Sequence, residues 1–435
     1  MATSVKTPRH QLSLLERLNS SRAISDCLFR VLREDAYYDR PIAERHRVIF
    51  YLGHLEAFDW NLFLGRTPRL RAFHPEFDHL FAFGIDPVDG GLPSDLPQDW
   101  PSIERVREYG HRVRAQLDDF LSAGPGDLAA DLSTLLHTAI EHRLMHAETL
   151  TYMFHRLPFE RKAPQSQPSF TSGDFSPAMV EIPAGNATLG LRRCDGQFGW
   201  DNEYEAHTLD VPAFKIDRFM VTNGEYRDFV HDSGYRERKW WSEADWNWVN
   251  QQGIGRPAFW IDDGTWLYHG MFDAVALPSD WPAYVSHAEA AAYARWAGKS
   301  LPSEAQWHRA AYGEHNGERE YPWGQHERVG KGNFDFARWD PSPVNSMLNN
   351  TSAFGAVGML GNGWEWTSTE FAPFRGFQAF PFYPGYSANF FDGRHFVLKG
   401  GSARTASSLL RRSFRNWFQP HYQYVYAGFR CVTEN

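Results

Sequence analysis

Apolar residues recur at three- and four-residue spacing along the first third of the chain, which is the period of an amphipathic helix. The pattern predicts four helices, at about residues 12–31, 47–63, 103–121 and 128–157. Four such helices in succession are typical of a four-helix bundle, whose axis often holds metal ligands drawn from facing helices. We therefore expect residues 1–157 to form a helical bundle domain.

The pattern changes after the fourth predicted helix. Residues 158–177 are rich in Pro, Ser and Gln and have almost no apolar periodicity, which is typical of a linker. Beyond them lie strand-like pieces at Met179–Ile182 and Thr208–Val211, a helical stretch around His287–Ala297, and long runs rich in Gly, Trp, Asn and Pro. Residues 178–435 are thus predicted to form a mixed α and β domain with much irregular structure.

Composition excludes several classes of function. Hydrophobic residues make up 42% and charged residues 22% of the chain, as in soluble globular proteins, and no window reaches the ~18 apolar residues of a membrane helix. The net charge of −9, with no run rich in Lys or Arg, disfavours a nucleic-acid partner. The N-terminal residues lack the apolar segment of a secretory signal, so we expect a cytoplasmic protein. The three distant cysteines, Cys27, Cys194 and Cys431, disfavour a disulfide framework and a cysteine-based zinc site.

Three histidines are candidate metal ligands. His142 and His146 lie four residues apart on the fourth predicted helix, on one face, so both imidazoles can reach one ion. His54 lies within an apolar run of the second predicted helix, where a buried imidazole needs a ligand or a hydrogen-bond partner. Three neutral histidines suit divalent zinc, iron, nickel or copper and leave positions open for substrate or water. Each of them could instead be an ordinary core residue.

Other polar residues near these positions are weaker candidates. His46, His137 and His155 are spare ligands that we expect at the surface or in helix caps. Glu148 lies off the face shared by His142 and His146, so it fits a salt bridge or a supporting hydrogen bond better than ligation.

Two sets of motifs carry a resemblance to known families. The pattern His142-x-x-x-His146-x-Glu148, together with Gly53-His54, resembles the iron-binding pattern of the DinB-like four-helix domain in ergothioneine-type sulfoxide synthases. The C-terminal half resembles the formylglycine-generating-enzyme-like (sulfatase-modifying-factor) domain, a C-type-lectin-like mixed fold. The matching stretches are Met179–Gly185, Phe219–Tyr226, Ala294–Glu304, Tyr321–Gly324, Gly361–Thr367, Leu398–Ser402 and Gly428–Cys431. The two-domain plan resembles that of EgtB-type enzymes.

The resemblance implies a reaction and a cofactor. Formylglycine-generating enzymes hold copper with two cysteines near the C-terminus, and the corresponding run Ser402–Phe429 contains none, so that chemistry is excluded. An EgtB-type enzyme would bind Fe(II) through His54, His142 and His146. It would join the imidazole C2 of hercynine (N-trimethylhistidine) to the sulfur of cysteine or γ-glutamylcysteine, using O2, and would leave the sulfur as a sulfoxide.

Aromatic residues, 16% of the chain, supply candidates for substrate binding. Most aromatic side chains pack cores, but their faces also bind cations such as the quaternary ammonium of hercynine. The resemblance points to a substrate wall near the C-terminus, with the candidates Asn416, Trp417, Phe418, Tyr422 and Tyr424. Tyr386 is the candidate proton donor, although it could simply pack a loop.

The sequence leaves the second substrate open. Residues 74–100 are rich in Pro, Gly and Asp, so we expect them to form a long loop. Many relatives carry arginines between their second and third helices that bind the carboxylates of γ-glutamylcysteine, whereas this segment contains no Arg or Lys and has acidic residues at 76, 78, 86, 89, 95 and 99. Alternatives are an ovothiol-type synthase that joins histidine C5 to cysteine and a selenoneine synthase that uses a selenosugar. A non-enzymatic scaffold for ligand display is a further alternative. The sequence gives no signal for the oligomeric state.

Overall fold

A computed structural model of the chain describes residues 12–82, 92–124, 131–167, 176–324 and 330–434. The chain divides into two compact units, residues 1–163 and 164–435. This division falls within the predicted linker 158–177, of which residues 168–175 lie outside the described residues. No helix of the described residues combines the length and hydropathy needed to cross a bilayer.

The N-terminal unit is built from helices. They are α1 (Leu14–Phe29), α2 (Val48–Phe63), α3 (Pro75–Leu80), α4 (Ile103–Ser122) and α5 (Leu132–His155). α1 packs along α5, and α2 packs against both α4 and α5, so α2 and α5 are central. Ser13 and Ser102 accept hydrogen bonds from backbone amides in the first turns of α1 and α4, which begins these helices where the apolar periodicity starts.

The helical character predicted for this unit is confirmed, with one addition. The four long helices α1, α2, α4 and α5 correspond to the four predicted ones, although the predicted start of the last at residue 128 lies outside the described residues. The short helix α3 lies in the segment 74–100, which we expected to be a loop. Its periodic run is only six residues long, so apolar spacing alone could not distinguish it from a turn.

The C-terminal unit is a mixed fold with short elements, as predicted. Its helices are α6 (Asn223–His231), α7 (Glu243–Gln252), α8 (His287–Trp296) and α9 (Glu304–Tyr312). Its strands are β1 (Met179–Ile182), β2 (Gly185–Leu189), β3 (His207–Val211), β4 (Phe214–Asp217), β5 (Trp260–Asp262), β6 (Trp266–His269), β7 (Ala274–Ala276), β8 (Gly313–Glu314), β9 (Gly317–Glu318), β10 (Gly363–Glu370), β11 (Phe396–Gly401), β12 (Asn416–Phe418), β13 (Ala427–Gly428) and β14 (Val432–Glu434). Every one of these helices begins at a Ser or Thr whose side chain accepts from a first-turn amide.

The strands form small sheets around a core rich in aromatic residues. The largest has the order β12–β11–β10–β13, and a second has the order β1–β4–β14. In the largest, Trp417 of β12 lies opposite Val397 of β11, so β12 is an edge strand. Trp307 of α9 and Glu365 of β10 are fully buried, and the indole Nε1 donates to the carboxylate at 2.8 Å. The same carboxylate pairs with the buried Arg430.

Candidate metal centre

The structure brings together His54 of α2 with His142 and His146 of α5. Their ligand atoms all lie within 4.8 Å of one another, and all three side chains are buried. The ring centroids of His142 and His146 are 4.4 Å apart, and those of His54 and His146 are 5.0 Å apart. This is the arrangement that four-residue spacing on one helix and a single histidine on a facing helix produce.

The backbone orients the ring of His54. Its Nδ1 lies 2.7 Å from the carbonyl oxygen of Phe81, the residue after α3. A carbonyl oxygen only accepts, so Nδ1 carries the proton and the lone pair of Nε2 is available for a metal ion. Such a hydrogen bond fixes both the tautomer and the direction of a ligating imidazole.

Aromatic rings restrain the three imidazoles. Phe58 stacks on His142 with ring centroids 3.4 Å apart and planes 10° apart. Phe50 stacks on His54 at 4.9 Å and 18°. Apolar rings in these positions exclude water and limit rotation of the imidazoles. They therefore keep the imidazoles oriented before a metal ion binds.

The electrostatics favour neutral imidazoles. Burial lowers the pKa of His54 to about 4, and burial together with the neighbouring histidines places the pKa of His142 and of His146 well below the ordinary value. A neutral imidazole has the lone pair that a divalent cation requires.

The three residues fit a divalent transition metal. Bonds of ~2.1 Å from nitrogen to the ion place two ligand atoms roughly 3 to 4 Å apart, so a separation within 4.8 Å needs only small adjustments. Within the part of the chain that the structure describes, the buried Nδ1 of His146 has no hydrogen-bond partner, as expected of a group whose polar interaction is to a ligand.

The spare histidine candidates lie outside this cluster. The rings of His46 and Phe50 lie 4.1 Å apart and are tilted by 31°, and His137 is half-buried on α5. His155 was expected at the surface or in a helix cap; it is the last residue of α5, directly before the C-cap residue Arg156, but it is completely buried and does not lie at the surface. Glu148 is buried as well, and its supporting role stays a prediction.

The residues that support the ligands were missed by sequence reasoning. A backbone carbonyl such as that of Phe81 carries no signal in the sequence. Glu56, Asp59 and Arg143 are charged residues at core positions of α2 and α5, and they are buried beside the histidines. Charges at core positions of a helix are the signal that would have identified them, because buried charges need partners.

The predicted catalytic tyrosine lies in an aromatic group of the C-terminal unit. Tyr386 stacks on Trp200 with centroids 3.9 Å apart, and its edge meets Trp417 at 5.4 Å and 80°. Trp417 in turn stacks on Phe371 at 4.1 Å. Ser387, the neighbour of Tyr386, is buried and donates to Asp201. Tyr386 is thus held in place by the packing of its own ring and by the hydrogen bond of the adjacent Ser387.

The other candidates for substrate binding form a second group. Phe418 stacks on Tyr422 with centroids 5.0 Å apart and planes 6° apart, and Tyr424 stands at 86° to Tyr422 at 5.1 Å. Successive residues of a strand point to opposite faces, so Asn416 and Phe418 share one face of β12 and Trp417 lies on the other. The predicted set is therefore divided between two faces of this strand.

Comparison with known proteins gives matches over both halves of the chain. The family of the Sulfatase-modifying factor enzyme 1-like domain matches residues 165–435. The chain is 33% identical to the hercynine oxygenase of Mycolicibacterium thermoresistibile, over 96% of this chain and 95% of that protein. It is 38% identical to the hercynine oxygenase of Mycobacterium tuberculosis over 84% of each chain. It is also 25% identical to ergothioneine biosynthesis protein 1 of Neurospora crassa, over 93% of this chain and 56% of that protein.

Proposed function

Because this chain belongs to the hercynine oxygenase family and its C-terminal part to the sulfatase-modifying-factor domain family, we propose that it is a nonheme Fe(II)- and O2-dependent sulfoxide synthase. The coarser assignment is an oxygenase-type enzyme of the ergothioneine pathway. The observation that carries the finer one is the cluster of His54, His142 and His146, whose ligand atoms lie within 4.8 Å of one another.

The proposed reaction joins hercynine to a thiol. The imidazole C2–H bond of hercynine and the S–H bond of the thiol are broken, and a C–S bond forms. One oxygen atom of O2 becomes the sulfoxide oxygen, and the other leaves as water together with the two hydrogens. Hercynine and the thiol are oxidised by four electrons in total, which is the number that O2 accepts.

The three histidines are the proposed ligands of the iron. Iron held by three imidazoles supplies a centre with open positions at which O2, a thiolate and an imidazole can be brought together. His54 is aimed by the carbonyl of Phe81, and Phe58 covers the ring of His142. These contacts keep the ligand set in place while substrates exchange.

Tyr386 is the proposed proton donor for the reduction of O2 to water. Its ring is held by the stack on Trp200, so its Oη is held in one position from which it can donate a proton. The trimethylammonium group of hercynine has no N–H to donate, and we propose that the faces of Phe418, Tyr422 and Tyr424 bind it. The perpendicular rings of Tyr422 and Tyr424 form a corner of the kind that surrounds quaternary ammonium groups.

The second substrate is proposed to be a donor with few carboxylates. Asp95, one of the acidic residues between α3 and α4, accepts from Arg40 and Arg47, and the indole of Trp100 donates to it at 2.7 Å. Within the described residues, the two arginines that contact Asp95 are therefore already paired. This favours cysteine, with one carboxylate, or a selenosugar, with none, over γ-glutamylcysteine.

An anaerobic titration tests the metal site. The full-length protein is expected to bind one Fe(II), and His142→Ala is expected to abolish binding while the far-ultraviolet circular dichroism stays unchanged. His111→Ala, which changes an exposed histidine of α4, is the control and should bind Fe(II) as the wild type does. Equal binding by His142→Ala and the wild type would refute the site.

An oxygen-uptake assay tests the reaction. Hercynine and histidine are crossed with cysteine, γ-glutamylcysteine and a selenosugar, and product masses are read by mass spectrometry. A sulfoxide of hercynine and cysteine supports the proposal. A product of histidine and cysteine would assign the ovothiol-type reaction instead, and a hercynine–selenosugar product would assign selenoneine synthesis. O2 consumption with none of the pairs would refute an oxygenase of this class.

A further inference from the structure

A buried cluster of charged side chains joins α2 to α5 next to the three histidines. Arg143 of α5 is completely buried, and Glu56 and Asp59 of α2 are 5% and 1% exposed. Arg143 follows the ligand His142 in sequence, and Glu56 lies two residues after the ligand His54. A buried charge needs a partner, and here the partners lie on the facing helix.

The guanidinium of Arg143 is hydrogen-bonded on both terminal nitrogens. Its Nη1 donates to Glu56 Oε1 at 2.9 Å, and its Nη2 donates to Glu56 Oε2 at 3.1 Å and to Asp59 Oδ2 at 2.6 Å. The same Nη2 donates to the backbone carbonyl of Leu55 at 2.8 Å. Leu55 is the residue directly after His54, so Arg143 ties the backbone of α2 beside one ligand to the helix that carries the other two.

Glu56 is braced from a second direction. Arg114 of α4 donates to Glu56 Oε1 at 2.7 Å and also pairs with Asp26 of α1 at 2.8 Å. The carboxylate that receives Arg143 is thus fixed by a contact from α4 as well. Planar guanidinium groups with several fixed hydrogen bonds define geometry more strictly than a flexible ammonium does.

Such a cluster fits a positioning role better than a stabilising one. Replacing a buried ion pair by packed apolar residues is often neutral or favourable for stability, so stability alone does not account for it. Sliding α2 along α5 by one residue would move a ligand by about 1.5 Å, whereas a metal site tolerates changes of a few tenths of an ångström. Directional contacts between the helices restrict that sliding.

We propose that Arg143 is a positioning residue for the metal centre. Its contacts with Glu56, Asp59 and the Leu55 carbonyl set the register of α2 against α5, so that His54 meets His142 and His146 at bonding distance. This inference rests on the proposed function only in requiring that these histidines bind a metal ion.

The first variant tests whether the charged cluster sets the register of α2 against α5 or only stabilises the fold. Glu56→Leu, Asp59→Leu and Arg143→Met are combined in the full-length protein, which removes the charges together and leaves no unpaired buried carboxylate. Anaerobic Co(II) titration should show an affinity 10- to 100-fold lower than in the wild type, with an altered visible spectrum of the bound ion. Urea unfolding of the metal-free protein should give a stability equal to or above that of the wild type.

A matched control comes from the C-terminal unit. Glu365 and Arg430 form a similarly buried pair there, and Glu365→Leu with Arg430→Met makes an equivalent replacement away from the histidines in sequence. The Co(II) affinity and spectrum of this control should match those of the wild type. An equal loss of affinity in this control would overturn the inference, because the effect would then be a general one.

Arg143→Lys decides the question if the triple variant does not fold. It keeps the charge but loses the planar group that reaches Glu56, Asp59 and Leu55 together, so a weaker Co(II) affinity and a changed spectrum are expected in folded protein. Co(II) binding within twofold of the wild type, with an unchanged spectrum, would overturn the inference and leave the proposed function standing. Absence of binding by the wild type would instead refute the metal site on which both rest.

Discussion

Gly53 shows how one residue controls the position of a proposed ligand. A Cβ atom built on Gly53 would lie 2.6 Å from the ring of Phe81, closer than side chains tolerate. The glycine therefore allows Phe81 to pack directly against α2. At this approach the carbonyl of Phe81 accepts from Nδ1 of the neighbouring His54.

Gly53→Ala is expected to weaken metal binding. The methyl group gains about 1 kcal/mol in helix propensity, but overpacking against the Phe81 ring costs about 1–3 kcal/mol. We expect a small net loss of stability in urea unfolding and a 10- to 100-fold weaker Fe(II) affinity, because the hydrogen bond to His54 is lost. Adding Phe81→Leu makes room for the methyl group while keeping the carbonyl, so the double variant should recover most of the affinity. A single variant that binds Fe(II) like the wild type would contradict this.

Tyr386→Phe isolates the hydroxyl group of the proposed proton donor. The stack on Trp200 remains, so the thermal midpoint should change by no more than a degree or two. Turnover to the sulfoxide should fall by about 10²- to 10⁴-fold, the usual contribution of a positioned acid, with little change in the KM for hercynine. Tyr383→Phe, the same change in a neighbouring ring 5.6 Å away, is the control. An equal loss of turnover in both variants would argue against a specific role for Tyr386.

His287 gives the C-terminal unit a pH dependence of stability. Burial lowers the pKa of His287 to about 4, although the carboxylate of Asp245 opposes this and Arg295 and His421 add to it. Between pH 6.5 and 4 the unfolded chain binds a proton at this imidazole, whereas the folded chain does not. The stability that the folded state owes to the neutral imidazole is therefore fully present above pH 6.5 and is lost as the pH falls towards 4. At about 1.4 kcal/mol per pH unit, the loss reaches up to about 3 kcal/mol.

The variant His287→Phe tests that dependence. It retains the stack on Phe396, whose ring centroid lies 3.8 Å from that of His287, but cannot be protonated. The free energy of unfolding of the wild type should fall more steeply than that of the variant between pH 6.5 and 4. Parallel pH profiles would show that His287 is not the group responsible.

At the scale of elements, the strand β12 divides the candidates for substrate binding. Trp417 packs between Phe371 and Tyr386 on one face, whereas Phe418 leads to Tyr422 and Tyr424 on the other. One ammonium group cannot contact both faces of a strand. The proposed binding of the cation therefore belongs to the face that presents perpendicular rings.

Tyr424→Leu is expected to affect hercynine binding, whereas Trp417→Leu is expected to affect stability. Loss of one cation–π contact worth about 0.5–2 kcal/mol should raise the dissociation constant of hercynine by about 2- to 30-fold in Tyr424→Leu, as measured by calorimetry. Trp417→Leu should mainly reduce stability, by about 1–2 kcal/mol, because a half-buried indole that stacks on Phe371 is replaced by a smaller side chain. A larger effect of Trp417→Leu on hercynine affinity would move the binding site to the other face.

The length of an element decided how well the sequence predicted it. α2 and α4 match their predicted bounds within one residue, because 16 and 20 residues of periodic pattern define a helix well. α3 and α9 were not predicted, since six and nine residues provide too few repeats. The two-residue strands β8, β9 and β13 are set by tertiary packing and have no local pattern to find.

The candidate site likewise could be predicted where local sequence determines it and could not be predicted where tertiary contacts do. The three histidines could be predicted because helical spacing and an apolar context are properties of the sequence. The carbonyl of Phe81 and the faces of β12 could not, since each depends on which segments meet in three dimensions. Arg143 lay between these cases, because a charge at a core position of a helix is visible in the sequence but its partners are not.

At the scale of the whole molecule, metal binding should affect the two units unequally. The three proposed ligands all belong to the N-terminal unit, residues 1–163. A ligand that binds only the folded state adds about 2.7 kcal/mol of stability at one hundred times its dissociation constant. Anaerobic Fe(II) should therefore slow hydrogen exchange in α2 and α5, and a chelator should reverse this. Equal slowing throughout the C-terminal unit would show that the metal acts elsewhere.

The close approach at Gly53 also restricts how the sequence can vary among homologous proteins. A larger residue at position 53 is compatible with the present backbone only if the side chain at position 81 becomes smaller. Homologous chains that keep the three histidines should therefore vary at these two positions together, with bulk at one accompanied by its absence at the other. An alignment of such chains in which the two positions change independently would mean that evolution has found another way to aim this imidazole.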